Sequence, residues 1–333
     1  MASPGAVQKW SANGVGRIIE VDASLLGSSI TGRRARRSPR TLDLLLVGAA
    51  KAGTTTLFRF LASHPHILMS TPKETHYFER NETFDPAVFW SRYFSRWKGE
   101  PLVGEATPAN LYVPYVAPRI RDAAPGAKLI ILLRDPVERA FSHWWMRYAE
   151  GLEKLPFEEA LAANLRQLEG GLLHERTDAE AVWRDHMAGR EQKEIRWRSY
   201  LDAGYYAVQI KRYQQLFPPE QLLILLTEDL RSEPEATLRK VWNFLRIPEP
   251  PRTSYDVSVN EAVSIRGAAL LRLVKGRSYL RLIPSPVKSV IRTWMSRGEG
   301  PLLKRDTEQW LAQYYRRWNQ ELTDILGFEP PWR

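Results

Sequence analysis

Hydrophobic positions along the 333-residue chain gather into three short, nearly uninterrupted runs. They are Leu42-Asp43-Leu44-Leu45-Leu46-Val47, then Lys128-Leu129-Ile130-Ile131-Leu132-Leu133, then Leu222-Leu223-Ile224-Leu225-Leu226. Apolar runs of this length without alternation read as strands buried on both faces, the pattern of a parallel sheet. Between them the apolar spacing turns helical. Thr54–Leu61 reads as a helix ending near His64-Pro65, a second helix opens at about Val137, and Tyr205–Phe217 forms a third that stops at Pro218-Pro219. Phe157–Glu169 and Asp178–Tyr200 read as charged helices with no strand between them, predicting a helical insertion over about 155–200. Asp306–Leu326 is one amphipathic helix, and Gly327 stands where a C-cap glycine belongs. Strands alternating with helices predict a three-layer α/β domain, a central, mostly parallel sheet flanked by helices.

Composition narrows the chemistry. There are no cysteines, which excludes disulfides, thiolate metal sites and a thiol nucleophile. Six histidines without a second ligand at metal spacing give no metal site. The net charge is +10, from 48 basic and 38 acidic side chains. Residues 1–40, ending in Arg33-Arg34-Ala35-Arg36-Arg37-Ser38-Pro39-Arg40, read as a basic tail, mobile or docked on an acidic surface, ahead of a single domain over 41–333. A basic surplus suits anionic ligands, either small phosphorylated molecules or polyanions. No apolar run approaches the roughly 18 residues of a membrane span, and the start lacks the features of a secretory signal. The expectation is a cytoplasmic protein of bacterial style.

Two stretches carry candidate chemistry. The first buried run leads into Gly48-Ala49-Ala50-Lys51-Ala52-Gly53, followed by Thr54, Thr55 and Thr56. A glycine-rich turn between strand and helix offers backbone N–H groups and the positive helix end to an anion. Gly48 and Gly53 match the glycines of a Walker A loop, but the lysine lies inside the loop, and no acidic residue is placed to hold Mg²⁺. The second run ends in Arg134, with Ser142 eight residues on. An arginine at the carboxyl end of a central strand faces the ligand crevice of an open α/β sheet, and its fork matches a phosphate. The alternative is a surface arginine paired with Asp135 or Glu138.

Together these stretches resemble the sulfotransferases that use 3′-phosphoadenylyl sulfate (PAPS). Lys51-Ala52-Gly53-Thr54-Thr55 is similar to their 5′-phosphosulfate loop, and Leu132–Ser142, reading LLRDPVERAFS, to their 3′-phosphate motif. Pro72-Lys73-Glu74-Thr75-His76-Tyr77-Phe78 and Gly104-Glu105-Ala106-Thr107-Pro108-Ala109 resemble the heparan-sulfate, carbohydrate branch, and the resemblance spans about 41–327. It implies a P-loop-like fold. It also implies that Lys51, Ala52, Gly53, Thr54, Thr55 and Thr56 cradle the 5′-phosphosulfate, and that Arg134 and Ser142 bind the 3′-phosphate. Arg266 and Gly267 would close over the nucleotide, and Lys51, Glu74 and His76 would be catalytic. The implied reaction moves a sulfuryl group in line from PAPS to a hydroxyl of a carbohydrate or secondary metabolite, leaving adenosine 3′,5′-bisphosphate (PAP), without a metal ion. Either Glu74 or His76 is the base. A carboxylate does this work best with a raised pKa, and two residues apart in extended backbone the pair would point the same way. Where heparan enzymes carry a lysine this chain has Ala106, which argues against an acidic glycan acceptor. The absence of cysteines and of a signal anchor argues against a Golgi enzyme. Adjacent Trp144 and Trp145 predict one ring packed and the other facing the cleft. A P-loop-type small-molecule kinase is the alternative, and a polyanion or nucleic-acid binder ranks behind it. Nothing in the sequence sets the oligomeric state.

Overall fold

The computed structural model describes residues 42–80, 83–250 and 301–332. The basic segment 1–40 and the pair Arg266 and Gly267 lie outside the described residues.

Five strands, β1 (Leu44–Gly48), β2 (Ile67–Met69), β3 (Leu102–Glu105), β4 (Lys128–Leu133) and β5 (Leu222–Leu226), form one sheet in the order β2-β3-β1-β4-β5. Every pairing is parallel, with Leu44 opposite Gly104 on one side of β1 and Leu45 opposite Leu129 on the other. β1 is buried along its whole length, and so is β4 from Leu129 onward, as their unbroken apolar runs require. β2 and β3 have three and four residues, too short to give an apolar run of their own.

The helices follow the sequence pattern closely. α1 (Thr54–Ser63) leaves the β1 loop, and short α2 (Tyr77–Arg80), α3 (Pro86–Tyr93) and α4 (Val116–Ala123) lie between β2 and β4. α5 (Pro136–Ala149) opens with proline after an N-cap, Asp135, whose carboxylate accepts from Val137 N at 2.7 Å and Glu138 N at 3.3 Å. α6 (Phe157–Glu169) matches its expected bounds, whereas α7 (Ala179–Glu191) stops nine residues before Tyr200. The chain leaves the helix at Lys193, whose φ is 62°, and the stretch beyond is held by tertiary partners. The backbone of 198–201 is bound by side chains from elsewhere: Asn164 Oδ1 accepts from Tyr200 N and Leu201 N, each at 2.9 Å, and Gln167 Oε1 from Arg198 N at 2.9 Å. Those amides are unavailable to a helix ladder. α8 (Tyr206–Gln214), α9 (Thr227–Ser232) and α10 (Pro234–Leu245) surround β5, and α11 (Arg305–Leu326) ends at Gly327, whose φ of 75° is the left-handed cap its position predicts.

The core has two parts. One surrounds the sheet; the second gathers α5, α6, α11 and Tyr200–Tyr205, where Trp144 packs at a tilt against Phe157 and donates to the Leu155 carbonyl at 3.0 Å. Trp144 packs into this second cluster and Trp145, also buried, lines the cleft described below, so one ring packs and the other faces the cleft, as expected of the adjacent pair.

β1 connects toward β2 and β3, while β4 connects toward β5, so chain direction across the sheet reverses between β1 and β4. In open α/β sheets the crevice beyond the carboxyl ends of such strands is where ligands bind. Gly48 ends β1 against Leu111, and a Cβ built on it would stand 2.4 Å from Leu111 Cβ. We expect Gly48→Ala to cost about 1–3 kcal/mol through overpacking. A lowered urea midpoint at unchanged m-value would show it; an unaltered midpoint would mean that the Leu111 turn yields freely.

Candidate active site

The loop leaving β1 is fastened at several points. Ala49 N donates to Leu132 O at 2.7 Å, and the Thr227 hydroxyl lies 2.6 Å from the Ala52 carbonyl and 2.7 Å from the Leu133 carbonyl, sharing its one proton between them. Lys51 and Gly53 both take left-handed φ, 73° and 80°. Gly53 caps α1 and has no side chain to satisfy the first-turn amides, which leaves the positive helix end for an anion. Ala52 is fully buried beneath this loop, so its contribution is backbone only.

Lys51, Gly53, Thr54, Thr55, Thr56, Glu74, His76, Arg134 and Ser142 line a single cleft of about 1280 Å³, so nine expected site residues from four chain segments meet there. Lys51 Nζ points to Met146 Sδ at 3.4 Å. Burial, then the neighbouring Arg134, pushes the Lys51 pKa down to about 8. A buried ammonium against a thioether is a cation in want of an anion. Arg134 does face the cleft, yet the sequence alternative holds as well. Its Nη2 and Nε donate to Glu138 Oε2 at 2.7 and 3.0 Å, and its Nη1 to Lys51 O at 3.2 Å.

Glu74 and His76 also meet, though not as neighbours on a strand. The segment is loop, and His76 has a φ of 52°. Glu74 Oε2 lies 3.6 Å from His76 Nε2, while His76 Nδ1 stands 2.7 Å from Glu79 Oε1. The other oxygen of Glu79 accepts from Trp183 Nε1 at 2.7 Å. Lys73 Nζ donates to Glu74 Oε1 at 3.0 Å and reaches Thr54 Oγ1 at 3.5 Å, which ties this loop to the start of α1. Burial raises the Glu74 pKa, but Lys73, His76 and Arg190 outweigh it and hold the carboxyl below its ordinary value. The raised pKa expected of a carboxylate base is therefore not what the site builds; Glu74 is kept ionised.

A family model described as a sulfotransferase domain matches residues 41–262. The chain belongs to the sulfotransferase family. Among its relatives are the membrane-associated sulfotransferase kil1 of Dictyostelium discoideum, 28% identical over 62% of this chain and 56% of the relative. The human bifunctional heparan sulfate N-deacetylase/N-sulfotransferase 3 is 28% identical over 86% of this chain and 30% of the relative. Human heparan sulfate glucosamine 3-O-sulfotransferase 3B1 is 26% identical over 93% of this chain and 68% of the relative. The chain thus spans about half of the first relative's length and under a third of the second's. The crystal structure of a sulfotransferase from Alicyclobacillus acidocaldarius shares the fold, with a TM-score of 0.58 at 24% identity over 87% of this chain and 98% of that one.

Several residues that shape this cleft were not among the site residues read from the sequence. Glu79 and Trp183 orient His76 across 104 residues, and Thr227 clamps the loop across 175. Glu105, in the motif that resembles the carbohydrate branch, is fully buried at the end of β3. It accepts from Thr75 Oγ1 at 3.0 Å, Thr75 N at 3.4 Å and the Thr107 hydroxyl, so it fixes the residue between Glu74 and His76. Burial lifts its pKa from 4.5 to about 7 against those hydrogen bonds. With the folded value above the unfolded one, the native state binds the extra proton, and stability falls as pH rises from about 4.5 to about 7. Glu105→Gln removes that titration. Chemical denaturation of both proteins at pH 5 and pH 8 should show the wild type losing about 1–3 kcal/mol relative to the variant across the window; parallel pH profiles would contradict it.

Proposed function

We propose that the chain moves a sulfuryl group from PAPS to a hydroxyl of a carbohydrate or secondary-metabolite acceptor, with Glu74 as general base. The observation that carries this reading is one cleft lined both by the Lys51 loop and by Glu74 and His76, with Glu79 behind His76. The donor set fits a nucleotide with two separate anionic groups. Lys51 and the amides at the start of α1 would hold the 5′-phosphosulfate, and Arg134 with Ser142 the 3′-phosphate, while Thr54, Thr55 and Thr56 offer hydroxyls. PAPS would supply the activated sulfuryl group; the chain supplies orientation, positive potential and a proton acceptor.

Lys51 and the helix end place positive potential where charge develops on the sulfuryl and bridging oxygens, as in other in-line group transfers. Glu74, ionised and open to the cleft, takes the acceptor's hydroxyl proton. His76 Nδ1 donates to Glu79, which directs Nε2 toward Glu74 and the cleft. The reading asks for no metal ion.

Calorimetric titration with PAP, beside ATP with Mg²⁺, tests the donor. PAP should bind, Lys51→Ala and Arg134→Ala should each weaken it by roughly 10- to 100-fold, as expected for a lost charge-assisted hydrogen bond. Tighter binding of ATP with Mg²⁺ than of PAP would overturn the reading in favour of a kinase. Because the free Lys51 loses its proton near pH 8 and only its charged form attracts phosphate, PAP affinity should decline as pH rises above about 8. Lys51→Arg should flatten that decline. Glu74→Gln should keep PAP affinity while sulfate transfer from PAPS falls roughly 10²- to 10⁴-fold; full turnover in that variant would remove Glu74 from the role.

A further inference from the structure

Arg134 is the expected 3′-phosphate contact, yet its guanidinium is already engaged. Nε and Nη2 both donate to one oxygen, Glu138 Oε2, at 3.0 and 2.7 Å, and Nη1 donates to the Lys51 carbonyl at 3.2 Å. The same Glu138 oxygen has a second cation beside it: Nη1 of Arg231, on α9, stands 3.6 Å away. Arg134, Glu138, Ser142 and Arg231 all line the cleft. Glu138 and Ser142 are four residues apart on α5 and so share one helix face. An acidic side chain thus touches one of the two groups assigned to a phosphate and neighbours the other.

These side chains are not equally free to move. Arg134 is 17% exposed, and the Tyr206 hydroxyl donates to its backbone carbonyl at 2.8 Å. Glu138 and Arg231 are about half-exposed, and Asp135 caps α5 beneath them, so the helix end itself is fixed. Passing the Glu138 carboxylate from Arg134 to Arg231 therefore needs rotation of exposed side chains only. Burial raises the Glu138 pKa, but Arg134 and then Arg231 outweigh it and hold the carboxyl below its ordinary value. Glu138 is thus an anion at neutral pH, and a phosphate approaching the same guanidinium edge meets a like charge already bound there.

We propose that Glu138 is a built-in competitor for the nucleotide's 3′-phosphate: it holds Arg134, yields it to the arriving phosphate by moving to Arg231, and takes it back as the phosphate leaves. This rests on the assignment of Arg134 to that phosphate. No covalent bond changes; one anion replaces another on the guanidinium. The competition is felt only by a ligand that carries a group at the 3′ position, because a nucleotide without one leaves the Arg134–Glu138 pair intact. PAPS and PAP both carry it, so Glu138 loosens the hold on the product, whose release is a common limit on turnover. Arg231 acts through Glu138 and is a positioning residue: it gives the displaced carboxylate a partner and so keeps the exchange from costing a stranded charge.

The test is calorimetric titration of the full chain with PAP and, separately, with adenosine 5′-phosphosulfate, which lacks the 3′-phosphate. Wild type, Glu138→Gln, Arg231→Gln and the double variant are compared. Glu138→Gln should tighten PAP roughly 3- to 10-fold, the scale of a half-exposed bidentate ion pair removed from competition, and leave adenosine 5′-phosphosulfate unchanged. A merely structural role for Glu138 would weaken both ligands, the opposite sign. Arg231→Gln should weaken PAP roughly 2- to 5-fold in the wild-type background and have no effect once residue 138 is Gln. Unchanged or weaker PAP binding in Glu138→Gln, or equal tightening of both ligands, would overturn the proposal. So would an Arg231→Gln effect of the same size in both backgrounds, which would put Arg231 on the phosphate itself. Failure of PAP to bind any of the four proteins would remove the donor reading and the exchange together, whereas PAP binding that ignores Glu138 removes the exchange alone.

Discussion

The site depends on one constraint, the anchoring of the β1–α1 loop across the carboxyl ends of β4 and β5. β1 is buried on every side, so its path leaves no freedom, and the loop inherits that rigidity through Ala49 N on Leu132 O. Thr227, the first residue after β5, closes the arrangement by sharing its proton between the Ala52 and Leu133 carbonyls. Lys51 can hold a left-handed backbone conformation, uncommon for a side-chain-bearing residue, because the residues on both sides of it are fixed. The helix end and the lysine are then positioned before any ligand arrives, which is how preorganised positive charge becomes useful in a water-poor cleft.

Charge is distributed over the cleft unevenly, and the unevenness separates the roles. Lys51 faces the Met146 thioether, Arg190 the Met187 thioether, and Arg147 has Glu150 at 3.8 Å, whereas Arg134 is satisfied by Glu138 and by the Lys51 carbonyl. An anion bound at Arg134 must displace or share Glu138, while one bound at Lys51 meets no such competitor. In the same cleft, Glu74 is kept ionised by Lys73 and His76, and Glu105, behind the same loop, is pushed toward the neutral form by complete burial. Two carboxyls 31 residues apart are thereby held in opposite states by their surroundings. The exposed one is fit to accept a proton and the buried one to hold the loop.

The order of glycine, lysine and threonine after the first apolar run, and of arginine and serine after the second, was legible because both rest on local rules. A buried strand reads as an unbroken apolar run, and an anion-binding loop at a helix start is a few residues long. The bounds of β4, β5 and α6 and the cap at Gly327 follow for the same reason. β2 and β3 have too few residues to show a period, and the stretch after α7 is held to Asn164 and Gln167 rather than in a helix.

What the sequence alone determined was the parallel α/β class, the glycine-rich strand-to-helix loop with its lysine, and the family whose motifs it carries. Each of these depends on residues close together in the chain. Only the tertiary structure decided that Glu79 and Trp183 orient His76, that Thr227 clamps the loop, that Glu74 is held ionised, and that Arg147 and Arg190 face one cleft from two helices. Those facts depend on burial and on partners a hundred or more residues away, and neither quantity exists until the sheet has brought the carboxyl ends of its strands together.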